Sequence, residues 1–184
     1  DLTGINVIEN KAFNHCKAKE IINADSVDNI ISAAFDNSFF YNKKVLKNQC
    51  VVIGHYLLKA DETAYRLEIP SNVETTYVNV HLNKVKEVVV HNLKILECIL
   101  DLPQKLIIAK DTPFFSKISK LKMKGLKYID VEDGNPFYSS ENGVLFTKNK
   151  KYLLKFPPGR TGLYKIPEGV NTIDENSFAF SNIE

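Results

Sequence analysis

A phrase written three times constrains this 184-residue chain more than any other feature. Ile5, Ile8, Ala12, Phe13 and Cys16 stand at fixed offsets, and the same offsets recur twenty-two residues later at Val27, Ile30, Ala34, Phe35 and Ser38. They return near the other end at Val170, Ile173, Ser177, Phe178 and Ser181. A period in the low twenties is the mark of a stacked solenoid. One copy is too small to bury its own apolar face, so it must bury it against the copies beside it. Val and Ile suit a short extended stretch. The small residue before each Phe leaves room for the ring to lie inward, so Phe13, Phe35 and Phe178 are predicted to form a continuous spine along the array. Ser38 and Ser181 occupy the column of Cys16, which points to a structural thiol there.

A longer unit recurs as well. "YLLK" at 56–59 and 152–155 is followed by "IPSNV" at 69–73 and "IPEGV" at 166–170. Proline fixes φ and lacks a donor, so each Ile-Pro belongs at a strand edge or turn. Residues 143–147 and 151–156 are apolar and β-prone on either side of Lys148-Asn149-Lys150, which predicts an antiparallel hairpin. A related hairpin with a less regular turn is expected within 50–70. The central third is less regular. Segments 82–90, 93–100, 105–109 and 126–131 read as successive short strands, and the Phe pairs at 39–40 and 114–115 are expected to line bends between coils. With no linker, low-complexity tract or break in composition, residues 1–184 read as a single domain.

These residues resemble the BspA-type leucine-rich repeat of bacterial surface proteins. Gly143-Val144-Leu145-Phe146, Ile166-Pro167, Gly169-Val170, Ile173 and Phe178 follow that family's pattern, and Cys16 sits at its cysteine position. Ser177 and Ser181 replace its Ala and Cys with other small residues, while Glu9 and Asp174 stand where it often has Gly. The agreement is strongest over 134–184, good over 2–38 and 50–75, and weakest over 76–125. The resemblance implies a right-handed leucine-rich-repeat superhelix with a curved parallel β-sheet, short strands or loops opposite, and inserted β-hairpins. It implies export, display on the cell surface or secretion, and binding of host or bacterial partners, and it carries no catalytic residues. Neither end of the chain reads as a polar cap, so a piece of a longer array is expected.

Composition narrows the function classes. The net charge is +2 and only Arg66 and Arg160 are arginines, which argues against nucleic acid as a partner. No apolar run is long enough to span a bilayer. The three cysteines, Cys16, Cys50 and Cys98, include no CxxC pair, so they read as small apolar residues. One disulfide is compatible with an oxidising compartment, and the sequence does not choose the pair. His15, His55, His81 and His91 lack the spacing of a metal site and read as surface residues. The acids around 130–133 lack the further oxygens of a Ca²⁺ loop and read as a solvated turn. No nucleophile motif is present, so no enzyme, cofactor or metal is expected.

The most notable charge feature is "KISKLKMKGLK" at 117–127. In an extended chain Leu121 and Met123 face inward while Lys120, Lys122 and Lys124 face out. The bland account is a solvated face that discourages edge pairing. The functional account is a basic stripe for a surface protein or a polyanionic glycan, with Lys120, Lys122, Lys124 and Tyr128 as contact residues. The expected function is a non-enzymatic adhesion or binding module, and the alternative is a structural spacer that presents another domain.

Overall fold

The computed structural model describes residues 1–183. Its longest parallel ladder is a sheet of four strands, Arg66–Ile69, Glu87–Val90, Lys105–Ile108 and Tyr128–Val131. Arg66, Glu87, Lys105 and Tyr128 stand side by side, so successive coils take 21, 18 and 23 residues. Leu67, Val88, Leu106 and Ile129 form one inward column, and Ile69, Val90 and Ile108 form the next; all are buried. These strands come from the central third, where copies are hardest to align by eye. "EVVV" and "KLII" are continuous apolar runs because parallel strands of this kind are covered on both faces. The fold is a β-solenoid with parallel sheets, as the repeat predicts.

The return limbs between these strands are irregular, and one expected strand is a helix. Leu93–Glu97 forms a 3₁₀-helix, with the Asn92 side chain accepting a hydrogen bond from the Lys94 amide at 3.0 Å. Leu93, Ile95 and Leu96 are buried within it and Ile99 just beyond it. Leu93, Leu96 and Ile99 keep the three-residue turn of a 3₁₀-helix, while Leu93 and Ile95 also keep the alternation of a strand.

At the amino-terminal side Val7–Ile8 pairs in parallel with Asn29–Ile30, and the Phe13 amide donates to the Ala34 carbonyl at 2.8 Å. Each of the three copies of the short phrase turns through two left-handed residues four apart. Lys11 and His15, Ala33 and Asn37, and Asn176 and Phe180 all have φ between 56° and 66°. The His15, Asn37 and Phe180 column therefore varies in sequence because backbone geometry defines it, and all three residues are exposed.

The two longer units share one topology. Cys50–Ile53 pairs antiparallel with Tyr56–Ala60, and Val144–Thr147 with Tyr152–Lys155, each with a register shift midway. The second arm of each hairpin then takes a parallel strand that follows the Ile-Pro return, Tyr56 opposite Thr75 and Tyr152 opposite Thr172. The first hairpin's turn is the shorter one, Gly54-His55, contrary to expectation. Gly54 has φ +53°, and a Cβ there would lie 2.4 Å from the Ala24 carbonyl oxygen. A further strand, Tyr138–Glu141, precedes the second hairpin and pairs with Val144–Thr147. Asn142 and Gly143 join them with φ of 49° and 78°, both positive as a two-residue hairpin turn requires.

The aromatic spine is real but discontinuous, which corrects the expectation. Phe13 stacks on Phe35 with centroids 5.3 Å apart, and Phe40 and Tyr77 close around Phe35. Phe178 instead stacks on Phe156 at 5.2 Å, within the second hairpin unit. Between these two stacks the core is mainly aliphatic. There the four-residue strands and the 3₁₀ limb bring Leu, Ile and Val inward to fill most of the coil, with the fully buried Tyr138 and the partly buried Phe115 as its rings. Phe39 and Phe114 are exposed while Phe40 and Phe115 are partly buried, so each pair has one ring outside and one inside. Cys16, Cys50 and Cys98 are free and half-buried.

Candidate binding grooves

The outward columns of the four-stranded sheet carry charge in strand order: Arg66, Glu87, Lys105, then Asp130. Glu87 lies 3.7 Å from Arg66 and 3.2 Å from Lys105, and Lys105 lies 3.8 Å from Asp130. Arg66 also reaches Glu132 at 3.3 Å, just past the end of the fourth strand. A side-chain pair joining the first strand to the fourth must cross the two between. Val89 and Ile107 face outward on those middle strands and yet are 1% and 4% exposed. The middle of this outer face is thus covered by its own ion pairs, and its open surface lies at the strand-entry end, beside Tyr128.

His91 belongs to the same closure and is not the simple surface histidine expected from sequence. Its Nδ1 is 2.5 Å from Asp111 and its Nε2 is 2.8 Å from Glu68, so it joins three successive coils. Burial alone would pull the imidazole's pKa down, but the two carboxylates outweigh it and the net shift is upward. A histidine raised in the folded state adds stability that is fully present below its unfolded pKa and is lost as pH rises through the folded value. The gap in urea midpoint between wild type and His91→Gln should therefore be widest near pH 5–6 and shrink by roughly pH 8–9. A gap that does not change with pH would show that His91 acts only through packing.

The lysine stripe lines an open groove of about 490 Å³ between the Leu93–Glu97 and Ile118–Lys120 limbs. Leu96, Ile99, Leu102, Leu121 and Met123 supply an apolar floor, and Lys117, Lys120, Lys122 and Lys124 supply a rim on which Glu97 is the one acid among the described residues. The alternation read from sequence holds: Leu121 and Met123 are buried, while Lys120, Lys122 and Lys124 are exposed. The segment is nevertheless not a strand, because it opens with a single 3₁₀ turn and Met123 has φ 44°. Lys120 is paired with Glu175 at 3.3 Å. Tyr128 lies apart from this stripe. It lines a second hollow with Tyr65, Lys86, Lys105 and Lys127, so the four expected contact residues divide between two grooves. Tyr65 was not anticipated, because only the strand register brings it beside Lys86.

The "DVEDGNP" turn is structural. Asn135 is fully buried; its amide nitrogen donates to the carbonyls of Ala109 and Thr112, and its oxygen accepts from the amides of Phe137 and Tyr138. Among the described residues no cluster of three or more His, Cys, Asp or Glu could hold a metal ion. Among the described residues no helix is long and apolar enough to cross a membrane.

A family model described as "BspA type Leucine rich repeat region (6 copies)" matches residues 2–94, half of the chain. The chain belongs to the BspA-type leucine-rich repeat family. The matched range takes in the amino-terminal coils, the first hairpin and two strands of the parallel sheet. It reaches into the central third, and the 134–184 segment, where motif agreement by eye is strongest, lies outside it. Among solved structures, this leucine-rich repeat chain is similar to a leucine-rich repeat protein from Eubacterium ventriosum, at 18% identity and a TM-score of 0.44, covering 65% of this chain and 40% of that one. It is also similar to the pneumococcal vaccine antigen PcpA, at 22% identity and a TM-score of 0.45, covering 99% of this chain and 42% of that one. The chain thus spans about two fifths of the length of either protein. No curated protein matches it.

Proposed function

We propose that this chain is a non-enzymatic binding module displayed on a bacterial cell surface, and that the lysine groove takes an acidic, partly apolar segment of a host or bacterial surface protein. The carrying observation is the groove's construction: an apolar floor of Leu96, Ile99, Leu102, Leu121 and Met123 under a rim of four lysines. Apolar anchors gain from covering the floor, and carboxylates gain from the rim and fix the direction of approach. The stacked coils hold these side chains in place before binding, which lowers the ordering cost. Membership of the BspA-type family supports the surface setting.

Two labelled peptides of equal charge test this reading by fluorescence anisotropy, one containing Glu and Leu and one Glu and Ser. The Glu/Leu peptide should bind more tightly, and Lys120→Glu/Lys122→Glu/Lys124→Glu should weaken it by roughly tenfold or more. Equal binding to wild type and the triple variant would refute the groove. Absence of binding to either peptide would favour the spacer role.

A further inference from the structure

We infer that the strand-entry rim of the parallel sheet is a second binding site, separate from the lysine groove, and that it takes a linear anionic polysaccharide. The register carries the placement. Since Arg66, Glu87, Lys105 and Tyr128 are aligned, the residues just before them, Tyr65, Lys86, Gln104 and Lys127, also come side by side. Neighbouring strands lie about 4.8 Å apart, so Lys86 and Lys127 stand about 10 Å apart and the two tyrosines about 14 Å apart. A hollow of about 420 Å³ runs along this row. A second, of about 510 Å³, shares Lys127 and Tyr128 and continues past Arg160 to Tyr164 and Lys165. The two adjoin at Lys127 and Tyr128 and succeed one another along the rim, an arrangement that suits an extended polymer better than a single sugar.

The chemistry of the row selects the polymer. Lys86 and Lys127 are exposed, and among the described residues neither has an ion-pair partner. Glu87 is the one acid lining either hollow among the described residues, and Lys105 and Arg66 already hold it. Lys105 is compensated by Glu87 and Asp130, which leaves Lys86 and Lys127 as unpaired positive charges spaced along the rim, attractive to anions repeated along a chain. Tyr65 is 70% exposed, a costly place for an aromatic ring that nothing in the chain covers. The Tyr128 ring packs against Gly143, where a Cβ would come within 2.5 Å of it, so the ring is held in position. Ring faces of this kind can take the apolar faces of pyranose units while their hydroxyls stay in water. Arg160, the one arginine lining the groove, is occupied by the Asn142 carbonyl and the rings of Phe156 and Tyr164. The rim thus presents lysine point charges and no free guanidinium fork, which favours anionic sugars over bidentate phosphate recognition in nucleic acid.

Heparin is the probe, with neutral dextran and single-stranded poly(dT) as comparisons, titrated against the whole chain. Wild type should bind heparin with an affinity that falls as salt rises, and should bind dextran and poly(dT) far more weakly. Lys86→Glu/Lys127→Glu should lose roughly tenfold or more in affinity. Tyr65→Ala, at an exposed position where folding is not at stake, should weaken binding while leaving the salt slope unchanged, because no charge is removed. Lys120→Glu/Lys122→Glu/Lys124→Glu should weaken heparin binding less than Lys86→Glu/Lys127→Glu does, although it changes more charges, which separates this site from the peptide groove. Heparin binding that survives Lys86→Glu/Lys127→Glu would overturn the inference. So would binding lost through the stripe variant alone, or poly(dT) binding equal to heparin binding.

Discussion

Phe35→Ala is expected to lower stability by about 3–5 kcal/mol. Phe35 is fully buried and touches aromatic rings on three sides: Phe13 stacked at 5.3 Å, Tyr77 edge-on at 5.6 Å and Phe40 tilted at 6.5 Å. Removing the ring loses its transfer free energy and leaves a cavity that stiff neighbouring coils fill poorly. Phe13→Ala should cost clearly less, because Phe13 is only partly buried. In a solenoid each coil couples chiefly to its neighbours, so the damage should stay local. Native-state hydrogen exchange should show protection lost over the amino-terminal coils while the Glu87–Val90 and Lys105–Ile108 strands keep theirs. Urea denaturation of the two variants tests the ranking. A loss of under about 1 kcal/mol for Phe35→Ala would mean that the ring fills no essential volume.

The same ring shows what a sequence of this kind makes legible. Phe35 could be assigned to the core because its neighbours in the column, Phe13 and Phe178, occupy equivalent places in other copies. Local repetition identifies which side of a coil is inside, but not what lies on the next coil. Phe178 therefore has an equivalent role and a different partner, Phe156, which the column comparison could not supply. The 3₁₀-helix at Leu93–Glu97 read as a strand because short apolar runs are ambiguous between the two: Leu93 and Ile95 alternate as a strand would, and the signal for a helix was the capping Asn92. The strand Tyr138–Glu141 was also readable, since Asn142-Gly143 is a strong two-residue hairpin signal. Its run of Tyr and Ser offers little apolar alternation to attract notice.

The candidate sites were less legible than the core, for a related reason. The lysine stripe is contiguous in sequence, and alternation alone put Lys120, Lys122 and Lys124 outside. The rim groove gathers Tyr65, Lys86, Lys127 and Tyr128 from three coils, so it exists only once the register of the parallel strands is known. The cover over the middle of the sheet's outer face depends on Arg66 reaching Glu132 across 66 residues of sequence, and no local pattern announces such a pair.

Between pH 7 and pH 10.5, Lys155→Met should lose about 3 kcal/mol of stability relative to wild type. Lys155 is fully buried with no carboxylate beside it; its Nζ donates to the Ser119 carbonyl at 2.7 Å and the Asn176 carbonyl at 3.3 Å. Lys59 holds the same place in the first hairpin and donates to the Tyr41 carbonyl, so both YLLK units spend this lysine on a backbone oxygen of an earlier coil. Burial pulls the Lys155 amine down from 10.5 to about 8. Below about pH 8 the folded state bears the full cost of an enclosed ammonium. Between 8 and 10.5 the folded amine is neutral while the unfolded one still binds a proton, so wild-type stability gains relative to a variant that lacks the group. The neutral amine retains two N–H donors, enough for both carbonyls. Methionine removes the charge at every pH but leaves the Ser119 carbonyl without its donor, at a cost of about 1–3 kcal/mol that does not depend on pH. The variant should thus match or exceed wild type at pH 7 and fall below it at pH 10.5. Cys50, pushed up to about 12 by burial, makes both proteins less stable above about pH 9, because the unfolded thiol ionises first; that loss cancels in the difference. Paired urea titrations across this range measure the gap directly. A gap constant with pH would show that Lys155 reaches water in solution and that the YLLK lysine is not a buried plug.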